Sequence, residues 1–101
     1  MNWETERIRA KVRLRFLRDR VLPLQRGFLG CPSRIDNFPT ENMWDVYIRI
    51  TKDHVKKDEI LETEIIFLSS DIAEKYLKKG AKIILWEIGD FAEGEITELL
   101  Y

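Results

Sequence analysis

From Arg7 to Phe16 the chain alternates without interruption. Arg7, Arg9, Lys11, Arg13 and Arg15 occupy the odd positions, and Ile8, Ala10, Val12, Leu14 and Phe16 the even ones. Successive side chains leave a β-strand on opposite sides, so this pattern is a strand with one apolar and one cationic face. Wound as a helix, the five cations would spread around the whole circumference and leave no apolar stripe to bury. One such strand commits the chain to a sheet that is apolar within and charged without. The rest of the sequence must supply its neighbours.

Several segments can. Trp44-Asp45-Val46-Tyr47-Ile48-Arg49-Ile50 alternates again, with Trp44, Val46, Ile48 and Ile50 facing inward. Leu61–Leu68 is rich in β-branched and aromatic residues, as are Lys82–Glu87 and Phe91–Leu99. Gly89-Asp90 between the last two suits a tight hairpin, and Gly94 inside the final strand marks a bulge or a close backbone approach. Residues 18–43 carry Pro23, Gly27, Gly30, Pro32, Asn37, Pro39 and Asn42, which predicts a long loop with one short extended piece. One helix signal stands out: Asp71 as cap, Glu74 three residues on, and Lys78-Lys79-Gly80 as the stop, with Ile72, Ala73, Tyr76 and Leu77 on the buried side. The expected fold is mostly β, a small antiparallel six-stranded β-barrel with one short helix, because closure removes exposed sheet edges.

At 101 residues this is a single domain, 1–101. The longest apolar runs, Ile65–Leu68 and Ile83–Trp86, are too short to span a bilayer, and the opening residues are charged where a secretory signal needs an apolar stretch. Cys31 has no second cysteine to pair with. A cytoplasmic protein with no membrane contact is expected. The net charge of −1 conceals two opposed halves: residues 1–35 carry +6 and the remainder −7. Such asymmetry either recruits charged partners or cancels internally across one sheet.

The element order and several short motifs resemble the C-terminal β-barrel domain of elongation factor Tu. That family follows its first strand with G-G-R-x-x-P-x-x-x-G-Y-R-P-x-F. Here Arg20-Val21-Leu22-Pro23 matches R-x-x-P, and Pro23 to Gly27-Phe28 matches P-x-x-x-G plus an aromatic. Arg18 and Asp19 stand in place of the two leading glycines, and Leu29 and Gly30 replace the arginine and proline. In the later half, Ile65-Ile66-Phe67-Leu68, Leu77-Lys78-Lys79-Gly80, Leu85-Trp86-Glu87 and Ala92-Glu93-Gly94-Glu95-Ile96 follow the family's order. The resemblance implies a six-stranded barrel of the kind that contacts the T-stem of aminoacyl-tRNA. It places the RNA-contacting arginine on Arg20 and the acidic turn residue on Glu87, with Ile88 where the family has glycine. No G-x-x-x-x-G-K-[ST] is present, so no GTPase function is inherited.

Catalytic signals are weak. His54 and Cys31 are the only residues of their kinds, and nothing in their spacing pairs them. Ser69 and Ser70 read as helix-start residues rather than nucleophiles, and no metal-ligand spacing is evident. The expectation is a non-enzyme with no cofactor and no small-molecule substrate. Trp44 and Trp86 are expected in the core, while Trp3 is expected to pack back on the barrel in preference to anchoring a partner.

Two charged surfaces carry the binding hypotheses. Glu87, Asp90, Glu93, Glu95 and Glu98 crowd the final hairpin and steer toward a basic protein, such as a nuclease toxin countered by an immunity-type inhibitor. Arg9, Lys11, Arg13 and Arg15, with Arg20, offer cations about 6.5–7 Å apart along a strand, close to phosphate spacing, for tRNA or other RNA. Against both stands cross-strand pairing of Asp45, Glu62, Glu64 and Glu95 with the arginines. Protein recognition is the favoured reading and RNA binding the alternative.

Overall fold

The computed structural model describes residues 3, 8–35, 43–68 and 77–100. Six strands, β1 (Arg9–Phe16), β3 (Phe28–Ile35), β4 (Trp44–Arg49), β6 (Ile60–Phe67), β7 (Lys82–Trp86) and β8 (Asp90–Leu99), form a closed antiparallel barrel in the order β1-β6-β4-β3-β7-β8. Two short strands, β2 (Arg20–Val21) and β5 (His54–Val55), pair as a separate ribbon. Each follows a barrel strand that ends on the same side. Leu22, Ile50 and Val55 from this region join the barrel's core, so the ribbon caps that end. There is no α-helix among the described residues, and the predicted helix cap at Asp71 and turn at Glu74 lie outside them.

The alternation of β1 is realised in full: Ala10, Val12, Leu14 and Phe16 are buried and the cations point outward. Around them pack Val46, Ile48, Ile65, Ile83, Leu85, Phe91 and Ile96, and the Phe16 and Phe91 rings meet at 6.3 Å. Burying each of these larger side chains contributes about 1.5–3 kcal/mol. Ser33 is the one buried polar residue among those described, and its hydroxyl donates to the Trp44 carbonyl at 2.9 Å. Gly94 is a site of close approach: a Cβ there would lie 1.8 Å from the Arg13 carbonyl oxygen. The bulge on this strand lies further along, where the β1–β8 register shifts between Lys11 and Val12.

Two expectations are corrected. The segment read as a long loop supplies all of β3. Its glycine and proline are compatible with a strand because Gly30 lies under the Tyr47 ring, which a Cβ at this position would approach to 3.2 Å, and Pro32 sits where β3 has a neighbour on one side only. Trp86, expected in the core, is 38% exposed, because it shares the outward parity of Lys82 while Ile83 and Leu85 point inward. Trp3 does pack back, with the Arg49 guanidinium 5.8 Å from its ring centroid and its carbonyl accepting from Arg9. No helix among the described residues is long and apolar enough to cross a membrane.

Candidate functional site

β1 lies between β6 and β8, both of which carry carboxylates on their outer faces. The register sets Lys11 against Glu64 and Glu98, Arg13 against Glu62 and Glu95, and Arg15 against Glu93. The resulting ion pairs are Arg9–Glu64 at 3.2 Å, Lys11–Glu98 at 3.3 Å and Arg13–Glu62 at 3.8 Å. Arg15 is gripped by Asp58 at 2.7 Å and by Glu93 at 2.5 Å, and these partners raise its pKa, the Glu93 hydrogen bond most of all. The cationic stripe is therefore a ladder between two acidic ladders. Pairs as exposed as Lys11–Glu98 and Arg13–Glu62 contribute only about 0.2–1 kcal/mol each. Phosphates approaching this face would have to displace carboxylates already in place.

The hairpin end of the barrel differs. Arg20 and Glu87, 67 residues apart, meet in one ion pair: Arg20 Nη2 donates to both Glu87 oxygens at 2.9 and 3.0 Å. The Arg20 guanidinium lies 4.4 Å from the Phe91 ring centroid, closing the barrel over its aromatic core. Arg18 Nη2 donates to the Glu87 carbonyl at 3.0 Å, and Arg34 holds both Asp90 oxygens at 2.8 Å. Three arginines thus fasten the two ends of one turn. Of the five acids expected to meet a basic partner, Glu87, Asp90, Glu93 and Glu98 are in ion pairs, and Glu95 has none among the described residues.

The turn these arginines hold is apolar and strained. In the three-residue connection between Trp86 and Asp90, Ile88 has φ of 48° and Gly89 of 105°, both in the left-handed region that favours glycine. A β-branched residue rarely adopts that conformation, because its Cβ crowds the following carbonyl. Ile88 is nonetheless 88% exposed, so packing does not hold it there. Val21 on the capping ribbon, Leu24 in the turn after it, and Trp86 at the end of β7 are also exposed at this end. None of these four apolar residues is among the binding candidates that the sequence offers. A signal was available in Ile88-Gly89, a bulky β-branched residue at a turn position that asparagine or glycine would fill more easily.

The charge balance at this end also departs from expectation. Asp19 accepts the Lys57 N–H at 2.7 Å, Asp53 contacts His54 at 2.9 Å, and Lys52 reaches Glu59. The pKa of Asp53 is lowered chiefly by its hydrogen bond with His54, and that of Glu59 chiefly by its hydrogen bond from Lys52. Arg26, stacked 4.9 Å over Phe28, pairs with no carboxylate among the described residues, and neither do the Lys56 and Lys57 ammonium groups. Free charge here is positive.

Cys31 lies below the Arg20–Glu87 pair. Burial, chiefly, pushes its thiol up to about 12, so it stays protonated and a poor nucleophile. No hydrogen bond joins it to His54, and no group of three His, Cys, Asp or Glu side chains among the described residues could hold a metal ion. The chain matches no family model and no curated protein.

Proposed function

We propose that this chain is a non-catalytic protein-recognition module that docks through the hairpin end of its barrel. The observation that carries the reading is Ile88, a β-branched side chain held in left-handed backbone and exposed to solvent, on a turn fastened by Arg18, Arg20 and Arg34. A rigid, exposed apolar side chain is what a protein interface needs at its centre, since little freedom remains to be lost on binding. Backbone strain kept without any packing benefit in the free molecule points to use elsewhere. The hairpin carboxylates then act mainly by holding the turn. A basic partner, such as a nuclease toxin met by an immunity-type inhibitor, would have to exchange its own cations for Arg15, Arg20 and Arg34.

The RNA reading has one specific support. Arg20 and Glu87, to which the elongation-factor resemblance assigns the RNA contact, come together at this same end. Capture by the tagged protein from its own cell lysate, with and without nuclease, tests both readings. The expected result is a protein partner that survives nuclease and is lost in Ile88→Asn, whose side chain accepts left-handed backbone more easily and so stabilises the fold by about 1 kcal/mol. Recovery of tRNA that disappears on nuclease treatment would overturn protein recognition in favour of the alternative.

A further inference from the structure

The barrel closes unevenly. β3 and β7 pair only from Ser33–Leu85 to Ile35–Ile83, so the stretch from Phe28 to Pro32 has β4 on one side and no strand on the other. Backbone parity shows which groups are left over. Ile50 N–H donates to the Gly27 carbonyl at 2.9 Å, and in an antiparallel ladder such pairs recur at every second residue. Leu29, Cys31 and Ser33 therefore direct their N–H and C=O groups at β4, while Phe28, Gly30 and Pro32 direct theirs away from it. Pro32 has no N–H to give on that side, and the next pair of the ladder would have been Pro32 with Trp86. Among the described residues no backbone hydrogen bond outside the ladders involves Phe28 or Gly30, and Gly30 is exposed.

Two N–H and two C=O groups on one short strand edge are a template for another strand. We propose that this edge of β3, at Phe28 and Gly30, takes up an extended acidic segment of a partner protein as an added β-strand. The inference rests on the protein-recognition reading and names the chemistry of the partner. Main-chain hydrogen bonds at Phe28 and Gly30 supply the register. Arg26, stacked over the Phe28 ring beside this edge and paired with no carboxylate among the described residues, supplies the preference for acidic side chains. The edge spans about 7 Å from Phe28 to Gly30, so three to five partner residues suffice.

The test uses the whole chain, uniformly ¹⁵N-labelled, with two synthetic octapeptides: threonine alternating with glutamate, and threonine alternating with lysine. In the free protein the Phe28 and Gly30 amides should exchange with solvent at least 100-fold faster than those of Leu29 and Cys31. The acidic peptide should shift and protect both amides, and the basic peptide should not. Gly30→Pro removes one donor from the open side and none from the β4 ladder; it should keep the melting temperature and weaken the acidic peptide at least tenfold. The proposal is overturned if Phe28 and Gly30 are already protected in the free chain, if the acidic peptide leaves them unmoved, or if both peptides bind alike. Protection that rises with protein concentration alone would seat a second copy there and overturn it equally. Loss of the lysate partner in Ile88→Asn while the acidic peptide leaves Phe28 and Gly30 unmoved overturns the edge alone, whereas recovery of tRNA overturns the underlying reading.

Discussion

β1 and β3 are both eight-residue strands of one barrel, yet they are built in opposite ways. β1 contains neither glycine nor proline and is paired along nearly its whole length on both sides, from Arg9–Ile66 to Arg15–Ile60 and from Ala10–Leu99 to Phe16–Ala92. β3 contains Gly30 and Pro32, and its β7 side is paired for three residues only. Around β1 every cation finds a carboxylate across the register. Around the open half of β3, among the described residues, the Phe28 and Gly30 backbone groups on that side lack hydrogen-bond partners and Arg26 lacks a carboxylate. A fully paired wall has little left to offer a ligand, so the incomplete seam is where this small barrel can recognise something.

The sharpest way to break the comparison is to crowd each strand in turn. Gly94→Ala places a methyl group 1.8 Å from the Arg13 carbonyl oxygen, where both neighbours are backbone and cannot yield. Denaturant titration should show a loss of about 3 kcal/mol, or no folded protein at all. Gly30→Ala meets only the Tyr47 ring, at 3.2 Å, which can rotate away; its cost should stay below about 1 kcal/mol. Equal losses would mean that the two strands are equally constrained and that the seam is not loose.

Charge removal gives the next largest contrast. Glu87→Gln takes the carboxylate from Arg20, whose side chain is 16% exposed, and should cost about 1–2 kcal/mol and loosen the hairpin. Glu62→Gln takes the partner from Arg13, 3.8 Å away and largely in water, and should cost under about 0.5 kcal/mol. If the two variants melt together, the Arg20–Glu87 pair is another surface contact and the turn is held by something else.

The difference in legibility between these regions has a physical cause. β1 could be read residue by residue because a half-buried strand imposes period two on its own sequence, and Ile8 to Phe16 satisfy that without exception. β3 could not, since Gly30, Pro32 and Ser33 are poor strand formers that pairing with β4 nevertheless holds in register. Trp86 was misplaced because a run of apolar residues hides its parity; only the partner strands decide which of Ile84, Leu85 and Trp86 face inward. Of the four acids expected to pair across strands with the arginines, Glu62 and Glu64 do so, while Asp45 and Glu95 have no ion pair among the described residues. Ile88 escaped attention because its meaning lies in a backbone angle, which no composition or spacing records.

Cys31 offers a smaller test of the seam from beneath. Its folded pKa of about 12 lies above the ordinary value near 8.5, so the unfolded chain gives up its proton first as pH rises. The stability associated with this group is complete below about pH 8.5 and is lost progressively toward pH 12. Between pH 9 and about pH 11 the denaturant midpoint should fall less in Cys31→Ala than in the parent. At pH 9, iodoacetamide should label Cys31 only as fast as the barrel opens. Labelling well ahead of global unfolding would show that the seam breathes by itself, and would sharpen the contrast with β1.

The smallest change in stability should come from the most pointed substitution. Pro32 faces Trp86 across the seam and lacks the N–H that the next ladder pair requires, so Pro32→Thr supplies the missing donor at a position already in a strand. Losing proline frees the unfolded chain by about 0.4–1 kcal/mol, and one added hydrogen bond returns about the same amount, so the melting temperature should barely move. Hydrogen exchange should move a great deal: the amide introduced at position 32 should be protected like that of Arg34, and the open edge should shrink to Phe28 and Gly30. If that amide instead exchanges freely, the missing donor is not what stops the ladder. The cause would then be the register shift between Leu85 and Trp86, which turns β7 away toward Asp90, and the opening of the barrel would be a property of the hairpin that carries Ile88 rather than of β3.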